Sequence, residues 1–161
     1  RLVPTFPNAE YCIQRLEFAD ARYPNERTRA TYFAENFVPL EEAGQLRLLA
    51  GDAALTSEVR CIVTPGHTRA HQSVLIESAG RKALFVGDLS TMAVGMERIA
   101  WVTAYDIDPM TTIESKRRLC RWAADEEVLL IFMHDPHLSA GYLRPCEERY
   151  RLEPVEIDFW R

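Results

Sequence analysis

Cysteine is sparse and unpaired in this sequence: Cys12, Cys61, Cys120 and Cys146 are scattered, and none belongs to a C-x-x-C pair. All but Cys146 sit beside apolar or helical sequence, so reduced, mostly structural thiols are expected. Long apolar runs are missing too. No window reaches the roughly 18 consecutive apolar residues of a membrane helix, and residues 1–20 lack the basic-then-apolar layout of a secretory signal. A soluble, cytoplasmic protein without a membrane partner is expected. Basic charge is in deficit: 19 Lys and Arg against 24 Asp and Glu give a net charge of −5 and a pI near 5.4. Binding a phosphate backbone normally needs clustered Lys and Arg, so nucleic acid is disfavoured as a partner. Repeats, low-complexity runs and Gly/Ser linkers are also absent, which leaves no boundary and predicts one domain over residues 1–161.

What is present is ordinary globular material. Hydrophobic residues make up 47% of the 161 and charged residues 27%, enough apolar content for one sizeable core. The chain opens on Arg1-Leu2-Val3-Pro4, which has neither disordered-tail nor signal composition, and the true N-terminus is expected upstream. Residues 10–16 read as a short strand leading into a helix around 16–22, and 23–44 as a helical, loop-rich insertion containing Tyr32, Phe33 and Phe37. From residue 45 the pattern is strand-like: QLRLLAG, EVRCIVTPGH, HQSVLIES and RKALFVGD, with Ser78-Ala79-Gly80-Arg81 joining the last two as a hairpin. Residues 109–126 predict a helix with Asp108 as N-cap and Pro109 at its first position, and with Met110, Ile113, Arg117, Cys120 and Ala124 along one face. EVLLIFMHD follows as a buried strand, then alternating segments at Tyr142–Arg144 and Tyr150–Ile157. This order indicates a layered α/β domain.

Three separate apolar strands end in a residue able to bind a metal or move a proton. Cys61-Ile62-Val63 runs to His67, Ala83-Leu84-Phe85-Val86 to Asp88, and Leu129-Leu130-Ile131-Phe132 to His134. A carboxylate at the end of a buried strand is costly unless it is paired, hydrogen-bonded or metal-bound. Two imidazoles and a carboxylate suit a borderline cation such as zinc; a His/Asp acid–base pair is the other reading. Taken singly, Gly87-Asp88 is also a common turn, and His134-Asp135-Pro136 a strand exit. His67 and His71 have the spacing of a helical metal pair, but the glutamate of H-E-x-x-H is absent and Pro65-Gly66 places them on a loop. His71 is expected to support the site or pack beside it.

The combined string is more specific. Thr64-Pro65-Gly66-His67-Thr68-Arg69-Ala70-His71, followed after a hairpin by Ala83-Leu84-Phe85-Val86-Gly87-Asp88, resembles the second half of the metallo-β-lactamase-fold metallohydrolase superfamily. The resemblance maps the first histidine of that family's T-P-G-H-T-x-G-H element, a metal ligand, to His67. It maps the aspartate that bridges two metals to Asp88, and the histidine for the second metal to His134. Ala70 stands where the family has glycine. Thr5-Phe6-Pro7-Asn8-Ala9-Glu10-Tyr11, with Gln14-Arg15 and Glu17-Phe18, looks like the segment downstream of the first metal motif in the lactonase-like and organophosphate-hydrolase-like branches. The preceding motif, H-x-H-x-D-H, is absent, since the four histidines are His67, His71, His134 and His137.

The resemblance implies half of a four-layer αββα sandwich, with a mixed sheet and flanking helices. It implies a zinc site, two ions in the complete domain or other divalent metals in their place, with metal-bound hydroxide attacking a small ester, lactone or related substrate. Asp88 would carry the catalytic role by holding the metal pair. Three ligands are too few for two ions, so association is expected with a missing N-terminal half, with another chain or as a homodimer. The chain alone is then expected to be inactive; a truncated half-domain serving as a binding or assembly module is the alternative. Thr91 replaces a tyrosine that assists ring opening in some lactonase relatives. The stretch Ser90–Tyr105, with Met92, Met96, Ile99, Trp101 and Tyr105, either borders the pocket or joins the core.

Overall fold

In the computed structural model, residues 2–156 are described, and they divide into two compact units between Gly51 and Asp52. The first unit contains strand β1 (Tyr11–Gln14), helix α1 (Arg15–Arg22), a 3-10 turn at Ala34–Asn36, helix α2 (Val38–Glu42) and strand β2 (Leu46–Leu49). The two strands pair in parallel, from Tyr11 opposite Leu46 to Gln14 opposite Leu49. Buried Gln14 closes that ladder with its side chain, donating from Nε2 to the Gly51 carbonyl at 2.9 Å and accepting the Gly51 N–H at 3.1 Å. Segment 23–44 holds only the 3-10 turn and α2, as its mixed pattern predicts.

The second unit is a mixed seven-stranded sheet with flanking helices. Its strands are β3 (Ala53–Ala54), β4 (Val59–Val63), β5 (Gln72–Ser78), β6 (Arg81–Phe85), β7 (Leu129–Ile131), β8 (Ala140–Cys146) and β9 (Arg149–Pro154), in sequential order. Helices α3 (Val94–Glu97) and α4 (Pro109–Asp125) lie between β6 and β7 in the chain. The β5–β6 hairpin turns at Ala79-Gly80, and its register puts Leu75 opposite Leu84. Leu84 in turn faces Leu130 across the parallel β6–β7 pair. That leucine row forms the core with Val86, Val128, Leu143 and Leu152, closed by Leu119, Cys120 and Ala123 from α4 and Met96 from α3. The last alternating segment is strand through Pro154; Ile157, its expected end, lies outside the described residues.

Helix α4 begins as its sequence predicts, with the Asp108 carboxylate accepting the Thr111 N–H at 3.0 Å. Its inward face differs from the apolar reading. Thr112, Ser115, Lys116, Leu119, Cys120 and Ala123 are buried, whereas Met110 and Arg117 are exposed. Hydropathy fails here because the first turns are anchored by hydrogen bonds: Ser115 Oγ donates to the Pro65 carbonyl at 2.7 Å and Lys116 Nζ to the Trp101 carbonyl at 2.6 Å. The Ser90–Tyr105 stretch is likewise split. Met96 is core and Ile99 packs against it, while Met92, Trp101 and Tyr105 are exposed.

Candidate functional site

Strand direction determines what gathers at one edge of the sheet. β4 is antiparallel to β5, β5 antiparallel to β6, and β6 parallel to β7, so β4, β6 and β7 run the same way. Their C-terminal ends lead into His67, Asp88 and His134. The three residues expected from sequence therefore meet: His67 Nε2 lies 3.4 Å from Asp88 Oδ2, and His134 Nε2 lies 3.1 Å from Asp88 Oδ1.

Each is held by its own device. Gly66 sits at φ +135°, and a Cβ there would come within 2.3 Å of the Thr112 backbone nitrogen. Only glycine lets the Pro65-Gly66-His67 turn lie against the start of α4 in this way. Past β6, the Val86 N–H continues the parallel ladder to the Ile131 carbonyl at 3.1 Å, and Gly87 at φ +58° turns the chain into Asp88. His134 is followed by Asp135, whose carboxylate accepts the N–H groups of Ala93, His137 and Leu138. Burial pushes the Asp135 carboxyl up, but those three donors and the neighbouring His137 together hold it below the usual carboxylate range.

Asp106 was not foreseen from the sequence. Its buried carboxylate accepts from His67 Nδ1 at 2.9 Å and from the Thr103 hydroxyl at 2.8 Å through the same oxygen, Oδ1. The backbone beside it also grips the histidine, since the Ile107 N–H donates to the His67 carbonyl and the Asp108 N–H to that of Gly66. Lys116 is a buried cation nearby; burial pushes its ammonium below the ordinary lysine range, while the thiol of Cys120 and the carboxylate of Asp106 act in the opposite sense. His71, on the same loop as His67, accepts the Asp88 N–H at Nε2 and is a supporting residue.

The donor set fits a divalent cation in kind: two imidazole nitrogens face opposite oxygens of one carboxylate. Asp88 Oδ1 is buried and makes no hydrogen bond, because the approach of His134 lacks hydrogen-bond geometry. The set is too small to enclose an ion. Among the described residues no group of three or more His, Cys, Asp or Glu side chains is placed to hold one.

No family model matches the chain. An N-acyl homoserine lactonase of Bacillus cereus is 28% identical over 137 residues, covering 84% of this chain and 51% of that protein. A probable metal-dependent hydrolase from Staphylococcus aureus has a similar structure, with a TM-score of 0.84 and 26% identity over 97% of this chain and 56% of its own. A dizinc quorum-quenching lactonase, AidC, solved with a product, shares the fold at a TM-score of 0.75 and 19% identity, over 98% of this chain and 60% of its own. The chain thus spans about half the length of the relatives it matches.

Proposed function

We propose that this chain, which matches metallo-β-lactamase-fold metallohydrolases over about half of their length, supplies the C-terminal half of a zinc-dependent hydrolase site acting on a small ester, lactone or related substrate. The observation that carries the proposal is the pair of imidazole Nε2 atoms set on opposite oxygens of Asp88, with Oδ1 buried and not hydrogen-bonded. In this reading His67, Asp88 and His134 are the residues of this chain that would hold the metal. Bound there, zinc would supply Lewis acidity, which lowers the pKa of coordinated water and polarises a carbonyl or phosphoryl oxygen.

The chain's own residues supply position. Pro65-Gly66 and the start of α4 fix where His67 stands, and Asp135 ties the exit of β7 to Ala93. Thr91 lacks a phenol, so any ring-opening assistance has to come from elsewhere in the site. Because three side chains are too few for two ions, the remaining ligands are proposed to come from an N-terminal half or from another chain, with residues 1–161 forming one partial domain and a homodimer as one arrangement. Cytoplasmic placement is read from the scattered cysteines, which lack a C-x-x-C pair.

The test is a hydrolase screen with and without added zinc on the chain assembled with an N-terminal half that supplies the remaining ligands, paired with metal analysis of that assembly and of its Asp88→Ala variant. The expected result is joint loss of bound zinc and activity in the variant. Activity surviving in Asp88→Ala would sink the mechanism. An assembly with the N-terminal half that binds no zinc and hydrolyses nothing would favour the binding-module alternative.

A further inference from the structure

We infer that Asp106 is a positioning residue for His67, holding its imidazole in the tautomer that carries the proton on Nδ1 and turns the Nε2 lone pair towards Asp88. The inference deepens the proposed function and rests on it only for what the lone pair is for.

An ionised carboxylate can only accept hydrogen bonds. At 2.9 Å from Asp106 Oδ1, Nδ1 of His67 must therefore be the protonated nitrogen, and in the neutral ring the lone pair falls on Nε2. Nε2 is the atom that faces Asp88. Asp106 is itself held against rotation, because the Thr103 hydroxyl donates to the same oxygen and that hydroxyl also receives the Tyr105 N–H. Ile107 and Asp108 add two backbone hydrogen bonds to the carbonyls of His67 and Gly66. The ring is thus gripped through its side chain and its backbone by one short segment.

Cost points the same way. The Asp106 side chain is 1% exposed, and an ionised carboxylate at that depth is expensive without compensation. A buried lysine, Lys116, lies close enough for its charge to act on Asp106, and it pins the start of the same segment through the Trp101 carbonyl. Two buried ionisable groups in so small a unit are poor value for stability alone, since apolar residues of similar shape often serve as well. They are well suited to orienting one imidazole. A carboxylate behind a metal-binding histidine fixes its tautomer and raises its basicity, and removal of such a partner typically weakens metal binding about 10–100-fold.

The experiment is long-range 15N–1H NMR of the histidine rings in the full chain without metal, at about pH 8.5, where ordinary imidazoles are neutral. His67 in the parent chain is expected to show a protonated Nδ1 and a bare Nε2; the opposite pattern would overturn the inference without any variant. Asp106→Leu, which fills the space without an acceptor, is expected to shift His67 to a mixture rich in the Nε2-protonated form, and Thr103→Val to do so in part. An unchanged His67 tautomer in a folded Asp106→Leu chain would also overturn it. Zinc titrations of the same samples read the other question: where the parent chain binds zinc, Asp106→Leu should raise the dissociation constant about 10–100-fold. A parent chain that binds no zinc leaves the question of the missing ligands to the assembly with an N-terminal half, while the tautomer measurement by itself decides the role of Asp106.

Discussion

The backbone N–H of Asp88 donates to Nε2 of His71 at 3.0 Å, and that contact assigns the protons of the network behind it. Nε2 must be bare to accept, so the proton of this neutral ring is on Nδ1, directed at the hydroxyl and carbonyl of Thr64. The Ser73 hydroxyl donates to the Val86 carbonyl, which leaves the Thr64 hydroxyl to donate to Ser73. Five residues from the ends of β4, β5 and β6, namely Asp88, His71, Thr64, Ser73 and Val86, are thereby locked in one direction. His71→Phe removes the acceptor and the donor together. Leaving these groups unmatched should cost about 1–3 kcal/mol, read as a lower urea midpoint at unchanged slope. A midpoint equal to the parent's would show that the network contributes nothing.

Gly66→Ala should be more damaging than its size suggests. The added methyl meets the Thr112 backbone nitrogen at 2.3 Å, and φ +135° is a conformation that alanine rarely adopts. Neither strain can be relieved by moving a flexible side chain. The loss should exceed the about 1 kcal/mol typical of single substitutions, and His67 should lose its place. A melting temperature unchanged in Gly66→Ala would refute this account of the turn.

Asp108 gives a pH signature. Its carboxyl is held below the ordinary range by the hydroxyl of Thr111, then by the backbone N–H of Thr111. For a carboxyl depressed in the folded state, the cap's contribution is present above the unfolded value of about 3.9 and disappears as pH falls through the folded one. Asp108→Ala should therefore melt below the parent at neutral pH, with the gap closing in acid. A gap independent of pH would rule out the charged cap.

Thiol chemistry should separate the cysteines. Burial pushes the Cys120 thiol up to about 12 despite Lys116 nearby, and Cys61 is also buried, whereas Cys146 is exposed. Alkylation followed by peptide mass spectrometry should label Cys146 readily in the native chain and reach Cys61 and Cys120 only after denaturation. Early labelling of Cys120 would mean that the core around α4 opens.

Much of the site's placement was legible because strand ends carry their own punctuation. Apolar runs ending in His67, Asp88 and His134 state both the strand and the residue at its exit, and the Ser78–Arg81 turn fixes the β5–β6 register. Asp106 was not legible. Its partner is remote in sequence, and the segment that carries it has neither helical nor alternating periodicity, so only the closed fold brings it to His67. The α4 face was misjudged for a related reason: Ser115 and Lys116 are buried by the carbonyls they bind, and hydropathy has no symbol for a carbonyl waiting on another loop.

The parallel pairing of β6 with β7 has a consequence for the order in which the site is built. β4, β5 and β6 are joined by short connections and can zip in sequence, bringing His67 to Asp88 through contacts that close early. β7 reaches β6 only across α3 and α4, and parallel neighbours need such a crossover. Closing that longer loop is entropically harder and places the step late. A folding chain trapped before it would hold His67 beside Asp88 while His134 still moved freely in solvent, an intermediate with half of the carboxylate's partners in place.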